Sequence, residues 1–83
     1  MDQALDTRIR AILNQHARMG ADANALAAAD DLYQAGLTSH ASVNVMLALE
    51  AAFDVEFPDR LLTRASFQSI AAIRGAVVEL LAE

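Results

Sequence analysis

The chain has 83 residues, a length that fits one small domain with a single hydrophobic core. Its composition of 55% hydrophobic residues, three Gly, one Pro and no Cys favours helices and excludes disulfides, Cys-ligated zinc and a thiol nucleophile. The net charge of −5 argues against a nucleic-acid partner, and the absence of a long apolar run or a basic apolar leader argues against membrane insertion and secretion.

The first predicted helix runs from about Gln3 to His16. Its apolar residues repeat at the i, i+4, i+7, i+8 spacing of an amphipathic helix: Leu5, Ile9, Ile12 and Leu13. Residues 19–37 follow, with two Gly, three Asp, one Asn and few bulky apolar side chains. We predict that they form a long ordered loop rather than a linker between domains.

The second predicted helix begins near Thr38, whose hydroxyl can cap it, and runs to about Phe53. Its apolar residues divide into two arcs. One arc, predicted to face the core, contains Val45, Met46, Leu49 and Phe53. The other contains Val43 and Leu47, in the same sector as Ser39, His40 and Glu50. The second arc is either an exposed partner surface or a buried face of a helix wedged between two others, and the sequence leaves both alternatives open.

The C-terminal third predicts a short helix and a long one. Pro58 is placed at the first position of the short helix, and Ser66 is placed as the N-cap of the last helix. Gly75 lies inside the last helix and weakens it by about 1 kcal/mol relative to Ala. We therefore expect an all-α bundle of three longer helices and one short helix, a single domain over residues 1–83. The predicted core consists of Leu5, Ile9, Ile12, Leu32, Val45, Leu49, Phe53, Ile70, Ile73 and Val77.

Ser39 is the residue in this pattern that most needs a chemical interpretation. A hydroxyl in the first turn of a helix is most often a cap. A catalytic serine needs a base within hydrogen-bonding distance, and His40, its neighbour in sequence, points to another side of the helix. A phosphate ester at this position would instead meet free backbone N–H groups and the positive end of the helix dipole. His16 and His40 are far apart in sequence, so no metal site is expected.

Residues 30–59, DDLYQAGLTSHASVNVMLALEAAFDVEFPD, resemble the core of the acyl carrier proteins. The resemblance rests on Gly36-Leu37 before Ser39 and on the segment FDVEFPD at the end of the second helix. It also rests on the spacing of six residues along that helix: Val43, Val45, Leu47, Leu49, Glu50 and Phe53. It implies a four-helix bundle in which Ser39 receives 4′-phosphopantetheine from a phosphopantetheinyl transferase. The protein would then be a covalent substrate of other enzymes rather than an enzyme, because the thiol of the arm holds a cargo as a thioester.

The same resemblance implies a partner surface on the second helix. The positions through which such carriers meet their partners are occupied by Thr38, His40, Val43, Asn44, Leu47 and Glu50. The usual Asp-Ser-Leu is here Thr38-Ser39-His40, and Glu50 is the only acid on the helix, unlike the acidic helix of fatty-acid carriers. Docking is therefore expected to depend on Val43 and Leu47 more than on charge.

The longer pattern DLYxAGLxSxASVxxMLxxExAFDxEFPDxLLxRxSFxSI, which begins at Asp31, resembles atypical bacterial carriers that hold an amino acid. Those carriers are charged by stand-alone ligases resembling the core of class II aminoacyl-tRNA synthetases, which activate glycine or alanine with ATP. A carrier of acyl chains in specialised lipid or polyketide synthesis is the alternative, and a helical adaptor in which Ser39 only caps is a third hypothesis. We expect a cytoplasmic monomer that binds neither nucleic acid nor membranes.

Overall fold

The computed structural model describes residues 2–82, which form three α-helices joined by irregular segments: α1 (Asp2–His16), α2 (Ser39–Phe53) and α3 (Ile70–Ala82). No strand occurs in this range, and the all-α class is confirmed. Residues 1 and 83, the two ends of the expected domain, lie outside the described residues. Among the described helices, none is both long and apolar enough to cross a bilayer.

α1 packs its predicted stripe against both other helices. Ile9 and Leu13 are fully buried and Ile12 is nearly so, whereas Leu5, near the start of the helix, is only partly buried. The helix ends at His16 as predicted. Near the start of the helix, the carboxylate of Asp6 accepts a hydrogen bond of 2.7 Å from Nε of Arg10.

The segment after α1 is an ordered loop, as predicted, because α1 holds it in place. The guanidinium of Arg10 donates hydrogen bonds of 2.6 Å to the backbone carbonyls of Ala23 and Leu26. The Asn14 side chain accepts from the backbone N–H of Ala23 at 2.8 Å, within a short 3-10 turn at Ala23–Ala25. Leu32 is fully buried at the far end of the loop. These contacts fix the loop, and with it the segment that leads into α2, relative to α1.

α2 begins and ends where the sequence predicted. The hydroxyl oxygen of Thr38 accepts a hydrogen bond of 3.0 Å from the backbone N–H of Ala41, which is an N-cap. At the other end, Asp54 adopts a left-handed conformation with φ of 55° and its N–H bonds to the carbonyl of Glu50. Val45 and Leu49 are fully buried, so this arc of the helix faces the core. Phe53 is only partly buried, and the guanidinium carbon of Arg8 lies 4.2 Å from the centroid of its ring.

The predicted short fourth helix is not found. Two 3-10 turns occupy this region instead, at Asp59–Leu61 and Ala65–Phe67. Pro58 precedes the first turn in an extended conformation with ψ of 162°, and its carbonyl accepts from the N–H of Leu61. The placement of Pro58 as the first helical residue was therefore wrong by one position. The segment is too short to offset the cost of nucleating an α-helix, so single turns result.

α3 begins at Ile70, and its cap is Ser69 rather than Ser66. The Ser69 hydroxyl accepts a hydrogen bond of 3.0 Å from the backbone N–H of Ala72. Ser66 lies within the second 3-10 turn, where its own N–H donates to the Thr63 hydroxyl at 3.3 Å. The helix continues through Gly75, and its buried stripe is formed by Ile70, Ile73, Ala76, Val77 and Leu80.

Candidate functional site

The second apolar arc of α2 is a surface. Val43 and Leu47 are 51% and 53% exposed, whereas Val45 and Leu49 on the opposite arc are fully buried. α2 is therefore not wedged between two other helices, and its second arc is exposed rather than buried. Val43 and Leu47 form an exposed ridge, called here the α2 ridge. It separates two surface clefts, one on each side of the start of α2.

Ser39 is the first residue of α2, and its side chain does not cap the helix. Thr38 supplies the cap, so the hydroxyl of Ser39 is left without a hydrogen bond to any described residue. The backbone of Ser39 is held from the next turn, because the Ser42 hydroxyl donates to the Ser39 carbonyl at 2.7 Å. An exposed hydroxyl on a rigid helix start can be reached by a modifying enzyme and requires no change in the fold.

Ser39 opens onto a cleft of about 480 Å³, called here the Ser39 cleft. It runs between α2 and the segment that carries the second 3-10 turn, with Tyr33 at one side. Most of the lining is apolar. The lining residues are Tyr33, Ser39, Ser42, Val43, Met46, Leu62, Thr63, Arg64 and Phe67.

Tyr33 and Arg64 form a fixed pair on the wall of the Ser39 cleft. The guanidinium carbon of Arg64 lies 3.8 Å from the centroid of the Tyr33 ring, and the Tyr33 hydroxyl donates to the Arg64 carbonyl at 3.3 Å. Burial raises the pKa of the Tyr33 phenol, although the positive charge of Arg64 acts in the opposite direction. Tyr33 is therefore a neutral donor in this cleft and not a base that could activate Ser39.

A second cleft of about 750 Å³, called here the basic cleft, lies between the C-terminal end of α1 and the other side of α2. Its lining brings together two parts of the chain that are far apart in sequence. The lining residues are Gln15, His16, Ala17, Arg18, Thr38, His40, Ala41, Asn44, Leu47 and Ala48. His40 thus faces a different cleft from Ser39, as predicted from their adjacency, and this separates the imidazole from the hydroxyl.

The structure divides the predicted partner residues into three groups. Thr38, His40, Asn44 and Leu47 lie together along the basic cleft. Val43 borders the Ser39 cleft. Glu50 is partly buried, and its carboxylate accepts a hydrogen bond of 2.8 Å from the backbone N–H of Phe57, so it is turned toward the loop that leaves α2.

Sequence reasoning missed His16 and Arg18 on one side of α2 and Tyr33 and Arg64 on the other. None of them belongs to the pattern of α2, and each reaches its cleft only through tertiary packing. The basic residues His16 and Arg18, at and just beyond the end of α1, were a usable signal. Such residues are usual at a helix C-terminus, however, and do not by themselves indicate a cleft.

Most of this chain matches a known protein family. Residues 7–77 match the family described as the phosphopantetheine attachment site. The chain belongs to this family of carrier proteins. The resemblance found in the sequence is confirmed, and with it the cofactor class: the domain is one that bears phosphopantetheine.

Individual relatives of this carrier protein are similar over nearly their whole length. An aminoacyl carrier protein from Agrobacterium fabrum (strain C58) is 48% identical over 73 residues, which cover 88% of each chain. Two crystal structures of an engineered Bradyrhizobium japonicum glycine:[carrier protein] ligase, complexed with a carrier protein from Agrobacterium tumefaciens, also match.

The complex with AMP gives a TM-score of 0.85 at 48% identity, covering 88% of this chain and 97% of that one. The complex with ATP gives a TM-score of 0.87 at 47% identity, covering 90% of this chain and 97% of that one. The three-helix arrangement of this carrier protein is therefore the fold of an established carrier.

Proposed function

We propose that Ser39 carries 4′-phosphopantetheine and that the chain holds a small amino acid, of the glycine or alanine class, as a thioester on that arm. The observation that carries the first part is the exposed Ser39 hydroxyl, which Thr38 releases from capping at the start of α2. A phosphodiester on this oxygen is favoured by the positive end of the helix dipole, and the first turn of α2 contains no acid to repel it.

The cargo is inferred from the relatives. An aminoacyl carrier protein is 48% identical to this chain, and the matching solved carrier is bound to a glycine:[carrier protein] ligase. We propose that this chain is loaded by a ligase of the same kind, which resembles a class II aminoacyl-tRNA synthetase. The partner surface is the α2 ridge and the clefts beside it, and the transferase that attaches the arm would approach the same helix start. Both steps consume coenzyme A or ATP, and we place them in the cytoplasm, with the carrier acting as a monomer.

The architecture favours an amino acid over the alternative cargo, a long acyl chain. A carrier that encloses an acyl chain needs a bundle that opens between its helices. In this chain Val45, Leu49, Ile73 and Val77 are fully buried members of one core cluster, and none of them lines the Ser39 cleft. A small, charged aminoacyl group can remain outside the bundle, because burying its ammonium group would cost several kcal/mol.

The experiment compares Ser39→Ala with Ser42→Ala, a serine one turn further along the same helix. Each protein is incubated with coenzyme A and a broad-specificity phosphopantetheinyl transferase, and its intact mass is measured. The wild-type chain and Ser42→Ala should gain the pantetheine mass, and Ser39→Ala should not. If Ser39→Ala gains the mass, or if the wild-type chain does not, the attachment site is wrong.

The cargo is tested on the modified protein with glycine or alanine, ATP and a glycine:[carrier protein] ligase. A further mass increase that hydroxylamine removes would identify an aminoacyl thioester. The control is the wild-type chain without pantetheine, which has no thiol and should gain no mass. A chain that accepts pantetheine but is loaded by an acyl-carrier synthetase with a fatty acid, and not with either amino acid, would establish the alternative.

A further inference from the structure

The basic cleft is lined by basic side chains, although the protein as a whole has a negative net charge. The chain has a net charge of −5, yet the cleft is lined by His16, Arg18 and His40 and by no acidic residue among those described. His16 and Arg18 come from the end of α1, and His40 comes from the start of α2. A concave surface with one sign of charge attracts and orients a partner of the opposite sign.

Arg18 differs from the other five arginines because its side chain is not used by the fold. The other five are engaged within the protein: Arg8 with Phe53 and the Ala52 carbonyl, Arg10 and Arg74 with Asp6, Arg60 with Glu79, and Arg64 with Tyr33. Arg18 makes no hydrogen bond or ion pair to any described residue. Its φ of 52° is left-handed, a conformation that costs a non-glycine residue about 1 kcal/mol or more and that would suit Gly better.

The helix dipoles explain only part of this arrangement. His16 lies in the last turn of α1, where a basic residue is favourable, and on its own it needs no further explanation. His40 lies in the first turn of α2, and its imidazole makes no hydrogen bond to any described residue. Neither the position of His40 nor the free guanidinium of Arg18 stabilises the carrier itself, so both are available to a partner.

We propose that the basic cleft binds an acidic segment of the ligase that loads this carrier. The inference rests on the proposed function and adds the charge of the surface that the carrier recognises. Leu47, 53% exposed, lines the same cleft, so the occupant must present apolar as well as acidic groups. The α2 side of the cleft extends from Thr38 to Ala48, about 15 Å of helix, which suits a protein segment better than a small anion.

This surface reverses the electrostatic pattern expected from the resemblance to acidic carriers. Glu50, the only acid of α2, accepts from the N–H of Phe57 and lines neither cleft, whereas Arg18 and Arg64 each line one. The expectation that charge contributes little to docking considered α2 alone. With residues of α1 included, we expect an attraction that depends on Arg18 and decreases as salt is added.

The test compares Arg18→Gln with Arg60→Gln, an exposed arginine that lines neither cleft. Both variants are first converted to the pantetheine form, and KM and kcat for glycine loading by a glycine:[carrier protein] ligase are measured at low and high salt. Arg18→Gln should raise KM about twofold to fivefold at low salt, with a smaller effect at high salt. Arg18→Glu should raise KM further, and Arg60→Gln should leave it unchanged.

The outcomes separate this inference from the proposed function. If the wild-type chain gains no pantetheine, or if its pantetheine form gains no glycine, the proposed function is wrong. If it is loaded normally but Arg18→Gln and Arg60→Gln give equal KM values, only the acidic-segment inference is wrong. A changed ³¹P chemical shift of the pantetheine phosphodiester in Arg18→Gln, without a change in KM, would assign the cleft to the carrier's own arm and also overturn the inference.

Discussion

The carboxylate of Glu50 accepts a hydrogen bond of 2.8 Å from the backbone N–H of Phe57, seven residues further along the chain. This bond ties the end of α2 to the segment that leaves it, and places the buried ring of Phe57 against Phe67, 5.7 Å away. Glu50→Ala leaves the partly buried N–H of Phe57 without an acceptor. We expect the free energy of unfolding to decrease by about 1–2 kcal/mol in urea titrations.

The matched control for Glu50 is Glu56→Ala, which removes an exposed carboxylate a few residues away and should change stability little. Glu50→Gln retains an acceptor and should lie between the two. Equal unfolding midpoints for Glu50→Ala and Glu56→Ala would contradict a structural role for Glu50 and return it to the partner surface.

Gly36 immediately precedes the turn into α2 and cannot be replaced by alanine without strain. Its φ of 119° is in the left-handed half of backbone space, and an added Cβ would overlap the carbonyl oxygen of Met19. Gly36→Ala should destabilise the protein by more than about 1 kcal/mol. Gly75→Ala is the control, because a Cβ there meets no atom within 4 Å and Ala is the better helix former. It should stabilise α3 by about 0.5–1 kcal/mol, so thermal unfolding should move in opposite directions for the two variants.

Thr38 and Ser39 are adjacent and should affect different properties. Thr38→Ala removes the cap on the N–H of Ala41 and should lower stability by about 1 kcal/mol, while pantetheine attachment continues. Ser39→Ala removes an exposed hydroxyl that has no partner in the described structure, so attachment should be lost at unchanged stability. Thermal unfolding and intact mass are measured on both. A Ser39→Ala protein that unfolds as early as Thr38→Ala would mean that Ser39 also supports the helix.

The sequence predicted α2 closely because its signals are local. Thr38 is the last residue before an apolar helical pattern and can cap it, and Asp54 follows the last residue of that pattern. The start of α3 was placed after Ser66, although Ser69 is the residue that caps the helix. The choice between them depends on Thr63, whose hydroxyl accepts from the N–H of Ser66 and helps to form a separate turn.

Only one side of the candidate site could be predicted from the sequence. Ser39, Val43 and Leu47 belong to one helix, so periodicity and the family resemblance were sufficient to place them on its exposed face. Arg18 lies 21 residues before the start of α2 and Arg64 lies 11 residues after its end, and each reaches its cleft from outside that helix. No periodicity connects them to α2, and the charge of the basic cleft therefore required the structure.

Arg10 joins α1 to the loop that follows it. Its side chain is 14% exposed, pairs with Asp6, and donates to the carbonyls of Ala23 and Leu26. Arg10→Met keeps the apolar stem but leaves the Asp6 carboxylate and two carbonyls with fewer donors, so we expect a loss of about 2–3 kcal/mol in urea unfolding. Arg8→Met, at an exposed position on the same helix, is the control and should cost less than half as much. Equal losses for the two variants would show that the loop does not depend on Arg10.

The last prediction concerns the exposed ridge of α2. Val43 and Leu47 have no role in the core, so Val43→Ala and Leu47→Ala should cost little stability but slow glycine loading of the pantetheine form. A central apolar contact in an interface contributes more than about 1 kcal/mol, which corresponds to about fivefold or more in KM.

α3 provides matched controls, because Val78 and Leu81 are 48% and 52% exposed, against 51% and 53% for Val43 and Leu47. Val78→Ala and Leu81→Ala remove the same atoms at nearly the same exposure from a helix that lines neither cleft, and should leave loading unchanged. If the α3 variants slow loading as much as the α2 variants do, the ligase does not recognise the ridge beside Ser39, and the partner surface must extend over α3.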